Sequence, residues 1–231
     1  MSKYQDLKEQ VYECNMELPE HGLVIYTFGN VSAIDRDAGV FAIKPSGVDY
    51  EKLKPEDIVI VDLDYNVVEG DLRPSSDTKT HAVLYKNFPN IGGIVHTHST
   101  YSVAWAQALK PLPIFGTTHA DHLQNDVPIT EVMSDEMIQG DYEEETGHQI
   151  VNTFQDLSYE ETQMVLVARH GPFTWGKTPE DAVYNSVVLE ELAKMALFTR
   201  QINPEIPRLK QSIIDKHYLR KHGEDAYYGQ D

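Results

Sequence analysis

LVIYTFGNVSAIDRDAGVFAIKPSG, residues 23–47, followed at 58–63 by IVIVDL, brings several runs rich in β-branched and aromatic residues close together in the chain. LVIYTF (23–28) predicts a strand, GNVSA reads as a polar turn inside strand-like sequence, and VFAI and IVIVDL repeat one design, a buried strand followed by a loop. Parallel neighbours need a crossover of a dozen or more residues, usually a helix, and no long helical run separates these segments. A mixed or antiparallel sheet follows.

Helical patterns lie on both sides of this block. MSKYQDLKEQVYEC sets Leu7 and Val11 at helical spacing and predicts a helix over 3–18, stopped by Pro19 and Gly22. Asp77 and Thr78 can cap a helix to about Phe88, IGGIVHTH predicts the next strand, and YSVAWAQAL another helix. Residues 134–156 read as helical and MVLVA (164–168) as a central strand. Thr178-Pro179-Glu180-Asp181 is a capping-box start with proline at the first helical position, opening a helix to about Arg200, and a last helix is expected over 205–221. With no repeat, low-complexity tract or evident linker, residues 1–231 are expected to form one three-layer α/β domain, helices around a sheet.

Composition narrows the function. Lys and Arg total 19 against 37 Asp and Glu, a formal charge of -18, so a nucleic acid is repelled over most of the surface. An anionic small substrate would need a local set of donors. The single cysteine, Cys14, excludes an internal disulfide and fits a reducing compartment. No apolar stretch reaches signal-peptide length or the roughly 20 residues of a membrane span, so a soluble, cytoplasmic protein with no membrane partner is expected.

GGIVHTHST, residues 92–100, carries the chemistry. On a strand, His96 and His98 share a face and two neutral imidazoles there can share one cation, although hydrogen-bonded histidines give the same string. His170, in ARHGP, follows an apolar run and can reach that face from a loop. Asp77, in PSSDT, stands at a helix start, where capping is the ordinary role. Together, three imidazoles and a carboxylate make a shell suited to zinc with room for a chelating substrate. No glutamate follows the His-x-His pair within STYSVA, unlike jelly-roll metal sites.

Three further loops, Gly29-Asn30, Ser46-Gly47 and Ser75-Ser76, offer amides and hydroxyls to an anion, and the last precedes a helix N-terminus. Each alone reads as a turn; jointly they suggest a phosphate cradle. No Walker or dinucleotide glycine pattern is present, so nothing in the sequence supports nucleotide binding. GTTHADH (116–122) gathers Thr117, Thr118, His119 and Asp121 in an expected loop, and the tail holds His217, Arg220, Tyr227 and Tyr228.

Taken in order, GNVSA, KPSGVDY, PSSDTKTH, GGIVHTHS, GTTHAD, HGPFTWGK, DKHYLRKHG and YYGQ resemble the pentulose-phosphate epimerase branch of the class II aldolase/adducin-head family, over essentially the whole chain. The resemblance implies a mostly antiparallel sheet flanked by helices and a homotetramer with active sites between subunits. It implies one zinc ion per subunit held by Asp77, His96, His98 and His170. Gly29, Asn30, Ser46, Gly47, Ser75 and Ser76 would bind a phosphorylated ketopentose. Asp121 and Tyr228 would be acid and base, supplied by the adjacent subunit, with Thr117, His217 and Arg220 assisting. The implied reaction interconverts L-ribulose 5-phosphate and D-xylulose 5-phosphate by breaking and re-forming the bond between carbons 3 and 4. Related sugar-phosphate aldolases carry glutamate after PSS where this chain has Asp77, which favours epimerisation. A sugar-phosphate aldolase, or a non-catalytic adducin-head-like interaction domain, are the alternatives.

Overall fold

The computed structural model describes residues 2–223 and 226–227. The chain opens with α1 (Gln5–Glu20), then pairs β1 (Asn30–Asp35), β2 (Val40–Ile43), β3 (Val59–Asp62) and β4 (Val67–Glu69). Helix α2 (Thr78–Asn87) leads into β5 (Gly93–His96), α3 (Thr100–Gln107), α4 (Thr117–Ala120), α5 (Asp135–Gln139) and α6 (Tyr142–Thr153). Strands β6 (Met164–Leu166) and β7 (Pro172–Gly176) precede the long α7 (Pro179–Ile202) and α8 (Gln211–His222). The seven strands form one sheet in the order β4-β3-β2-β1-β5-β7-β6, each neighbouring pair antiparallel.

Alternation along the strands divides the core into two layers. Phe41, Ile43, Val59, Val61, Ile94 and Trp175 pack against Ala82 and Leu84 of α2 and Ile150 of α6. Val40, Ala42 and Ile60 face the other way, against Val11 of α1, and Val31 and Val95 meet Ala182 and Val183 of α7. Each of the larger apolar side chains here contributes about 1.5–3 kcal/mol. Helix α7 lies so close to β5 that a Cβ on Gly93 would stand 2.2 Å from the Pro179 Cα. Glycine there sets the helix-to-sheet distance. Thr178 caps α7 by accepting from the Asp181 amide, with Pro179 at the first helical position, as its sequence predicts.

Several segments depart from the sequence reading. LVIYTF is not a strand: the chain turns there, with Tyr26 at φ 53 and Ile25 and Tyr26 62% and 79% exposed, and β1 begins inside the stretch read as a turn. β-rich composition describes a residue that fits a half-buried pleated surface, and no neighbouring strand covers residues 23–28. The buried Asn15 instead closes the start of β1, accepting from the Val31 amide and donating to its carbonyl. MVLVA supplies β6, which is an edge strand and not a central one; its side chains are buried because Val165 and Val167 enter the core on one face and Met164 and Leu166 on the other, while residues 128–130 satisfy its outer backbone, with Thr130 N donating to Leu166 O and Leu166 N to Pro128 O. The helix expected over 134–156 divides at Gly140, and Asp141 caps the second part by accepting from the Glu144 amide. Pro207 delays the last helix to Gln211.

Candidate active site

Strand β5 ends on His96, and His98 follows just beyond it, so the two imidazoles meet with Nε2 atoms 3.1 Å apart. His170 comes from the turn between β6 and β7, where Arg169 takes φ 61. Its ring centroid lies 4.7 Å from that of His96 and 5.1 Å from that of His98. One ligand nitrogen from each ring falls within 4.8 Å of the other two. His96 is fixed hardest: its ring stacks on Phe173 at 4.2 Å, and Nδ1 donates to the Pro172 carbonyl at 3.0 Å, which leaves the Nε2 lone pair for the cavity. Burial pushes His98 down from its ordinary pKa and His170 down to about 3. Neutral imidazoles with converging lone pairs are the protonation state that binds a cation.

Asp77 does not act as a helix cap; no side-chain hydrogen bond of that kind forms. Its Oδ2 accepts from Asn30 Nδ2 at 2.7 Å, and Asn30 also donates to Ser75 Oγ at 3.1 Å. Burial opposes ionisation of this carboxyl, but the His96 and His81 rings and the Asn30 hydrogen bond outweigh it and hold the pKa below the usual range. The three rings and Asp77 line a cavity of about 420 Å³, and Gly29, Asn30, Ser46, Gly47, Ser75 and Ser76 line it too. Backbone pairing welds two of these loops together: Ser46 N donates to Arg73 O and Ser75 N to Lys44 O. Gly29, at φ 73, passes so near the end of β5 that a Cβ would stand 2.8 Å from His96 O. A side chain there would displace the histidine strand.

Sequence reasoning missed two residues on these walls. Lys44, directly after β2, is buried with Nζ 3.4 Å from Thr27 O and 4.8 Å from the Tyr50 ring centre. Burial lowers its pKa to about 8. It is a cation poised for an anion inside an acidic protein, and the signal was a lysine behind a buried strand in KPSG. Tyr142 opens α6, and its hydroxyl lies 3.5 Å from His170 Nδ1.

Asp121 and Thr117 lie elsewhere. They belong to α4 and its C-cap, do not line the histidine cavity of their own chain, and pack against α8. Asp121 accepts from His217 at 2.9 Å and from Arg220 through both oxygens at 2.9 Å. Burial would raise its pKa; the hydrogen bonds from His217 and Arg220 and the charge of Lys221 keep it low. Tyr228 lies outside the described residues, while the amide of Tyr227 donates to Arg220 O.

Residues 9–197 match the family model described as Class II Aldolase and Adducin N-terminal domain. The chain belongs to this family. Among solved structures, an L-fuculose 1-phosphate aldolase is 27% identical, with 95% of this chain and 97% of that one covered and a TM-score of 0.78. YgbL from Escherichia coli, a putative aldolase/epimerase/decarboxylase, is 25% identical over 93% and 99%, with a TM-score of 0.73. The L-fuculose-1-phosphate aldolase of Thermus thermophilus is also 25% identical, over 88% and 98%, with a TM-score of 0.64. The antiparallel sheet flanked by helices is thus the class II aldolase fold, and its histidine triad can hold a metal ion.

Proposed function

We propose that the protein interconverts L-ribulose 5-phosphate and D-xylulose 5-phosphate by opening and re-forming the bond between carbons 3 and 4. One observation carries this reading: three converging imidazoles, a carboxylate and three donor-rich loops share one cavity with a buried lysine. The donor set fits zinc, since neutral nitrogen ligands with a carboxylate oxygen suit that ion. His96, His98, His170 and Asp77 would hold it, and when bound it supplies Lewis acidity to the sugar oxygens beside the breaking bond.

The chain's own groups do the rest. Ser46, Gly47, Ser75, Ser76 and Lys44 bind the phosphate, and Gly29 and Asn30 shape the floor beneath the sugar. Holding the phosphate keeps the two-carbon fragment in the cavity while it turns its opposite carbonyl face toward the three-carbon fragment. Two proton carriers are required because the carbon 4 oxygen lies on opposite sides in the two epimers. Asp121 and Tyr228, from a neighbouring copy in a homotetramer, take these roles. Asp77 in place of glutamate after PSS supports epimerisation over net cleavage.

The test is to incubate the purified protein with L-ribulose 5-phosphate, before and after chelation and zinc restoration, and follow products by carbon NMR. The expected product is D-xylulose 5-phosphate, formed only by the metal-loaded protein. Accumulation of free glycolaldehyde phosphate would make the protein a cleaving aldolase, the activity named for its L-fuculose 1-phosphate aldolase neighbour. Absence of both metal and turnover would leave the interaction-domain reading.

A further inference from the structure

Behind the imidazoles, β1 and α2 are joined by a run of polar contacts of which the proposed chemistry uses only the Asn30–Asp77 end. Asn30 and Ser32 stand two residues apart on β1 and so share a face, while Asp77, His81 and Tyr85 recur at four-residue intervals from the cap of α2 onward. Two strand residues span about 6.7 Å and four helical residues about 6 Å, so such pairs can meet in register. Asn30 meets Asp77, and Ser32 Oγ lies 2.7 Å from both His81 Nδ1 and the Tyr85 hydroxyl. Ser32, His81 and Tyr85 are all buried.

Counting protons sets the direction of this string. If Tyr85 donates to Ser32 and Ser32 donates to His81 Nδ1, both hydroxyl protons are used and the imidazole proton resides on Nε2. The reverse direction strands the Tyr85 proton, whereas this one leaves the unpartnered proton on His81 Nε2, on the helix face it shares with Asp77; either unpartnered donor costs about 1–3 kcal/mol. His81 Nε2 is itself buried with no protein partner among the described residues, and the same holds for Asn30 Oδ1 on the neighbouring rung. The ionisable groups acting on the ring are Asp77 and His96. His81 follows Asp77 by four residues on α2, so the ring and the carboxylate share one helix face, and an N–H there is electrostatically matched to the acid.

We propose that His81 is a positioning residue: held as the Nε2–H tautomer by Tyr85 and Ser32, it presents a fixed donor to the Asp77 side of the cavity and keeps that carboxylate aimed at the three imidazoles. This inference rests on the reading of Asp77, His96, His98 and His170 as one metal site. It gives the strand-to-helix contact a purpose beyond packing, since partners behind a ligand commonly tune metal affinity 10- to 100-fold.

Two measurements test it. Long-range nitrogen–proton NMR of the metal-free protein should show His81 as the Nε2–H tautomer; an Nδ1–H pattern overturns the proposal. In Co(II) titrations, His81→Phe should weaken binding about 10- to 100-fold and shift the visible bands, whereas His81→Gln, which keeps an N–H donor, should recover most of the affinity. Thermal melts show whether each variant is folded. A folded His81→Phe protein with wild-type affinity and spectrum sinks the inference while leaving the metal site intact. Should that variant fail to fold, Ser32→Ala carries the same test, with weaker Co(II) binding expected and unchanged binding overturning it. Wild-type protein that takes up no Co(II) overturns the metal-site reading itself, and the inference with it.

Discussion

The histidine cavity and the Asp121 corner are built in opposite ways. His96, His98 and His170 project from the ends of paired strands, with His96 clamped by a backbone carbonyl and an aromatic face. Asp121 sits on a short helix beside α8 and is held by side chains alone, chiefly Arg220 and His217. Backbone-fixed groups are preorganised for a metal, whose ligand distances tolerate little error. A carboxylate held by a guanidinium and an imidazole is a poor base until a substrate loosens those contacts. The first region is assembled within one chain; on the proposed reading, the second acts on the cavity of a neighbouring copy.

The largest effect should come from the first region. His98→Ala is expected to lower metal affinity by more than about 100-fold, beyond the usual outer-shell effect, and to abolish turnover; metal analysis and the epimerisation assay check both. Asp121→Asn should lower turnover by about 100-fold or more with metal content unchanged, and Tyr228→Phe likewise. Mixing the two inactive variants, His98→Ala and Asp121→Asn, sharpens the contrast. If each site draws on two chains, random reassembly restores activity at about one quarter of the sites; no recovery would place both regions in the service of a single chain.

Lys44→Met should separate binding from stability. Loss of the cation raises KM for the phosphorylated sugar about 10-fold or more, since charge-assisted contacts to phosphate are strong. The same change should stabilise the substrate-free fold at pH 7, because the folded pKa of about 8 lies below the ordinary 10.5 and the charged form is penalised in the native state. That penalty is fully present below pH 8 and fades as pH rises toward 10.5. Denaturant melts at pH 7 and 10 would show it; destabilisation at pH 7 would make Lys44 a structural group.

The smallest effect concerns acid. His119 is buried with its pKa lowered to about 4. A depressed histidine gives stability that is present above pH 6.5 and lost as pH falls toward 4, where the unfolded chain binds the proton first. His119→Gln should flatten the decline of Tm over this window. An unchanged slope would assign the acid sensitivity to other buried groups.

Much of this architecture was legible because it depends on local signals. The Thr178 cap, the α2 start and the run before His96 each state their structure within a few residues. The cavity residues could be gathered because Gly29-Asn30 and Ser46-Gly47 each follow an apolar run and Ser75-Ser76 precede a helix start. What escaped depends on neighbours distant in sequence. LVIYTF has strand composition, but no strand lies beside it. MVLVA is apolar because core clusters cover both its faces, and that reads the same at the edge of a sheet as at its centre. Lys44 reads as an ordinary surface cation until Thr27 and Tyr50 close over it, and His81 acquires meaning only when Ser32 arrives from β1.

The segment laid along β6 has a consequence for how copies of this chain can come together. It occupies the hydrogen-bonding rim that would otherwise invite a foreign strand, and the opposite rim is the three-residue β4 ending in Glu69. Ribbon-to-ribbon growth is thereby discouraged at both flanks. An assembly joined through helices and loops would let a chain lend side chains to its neighbour without the two sheets fusing into one.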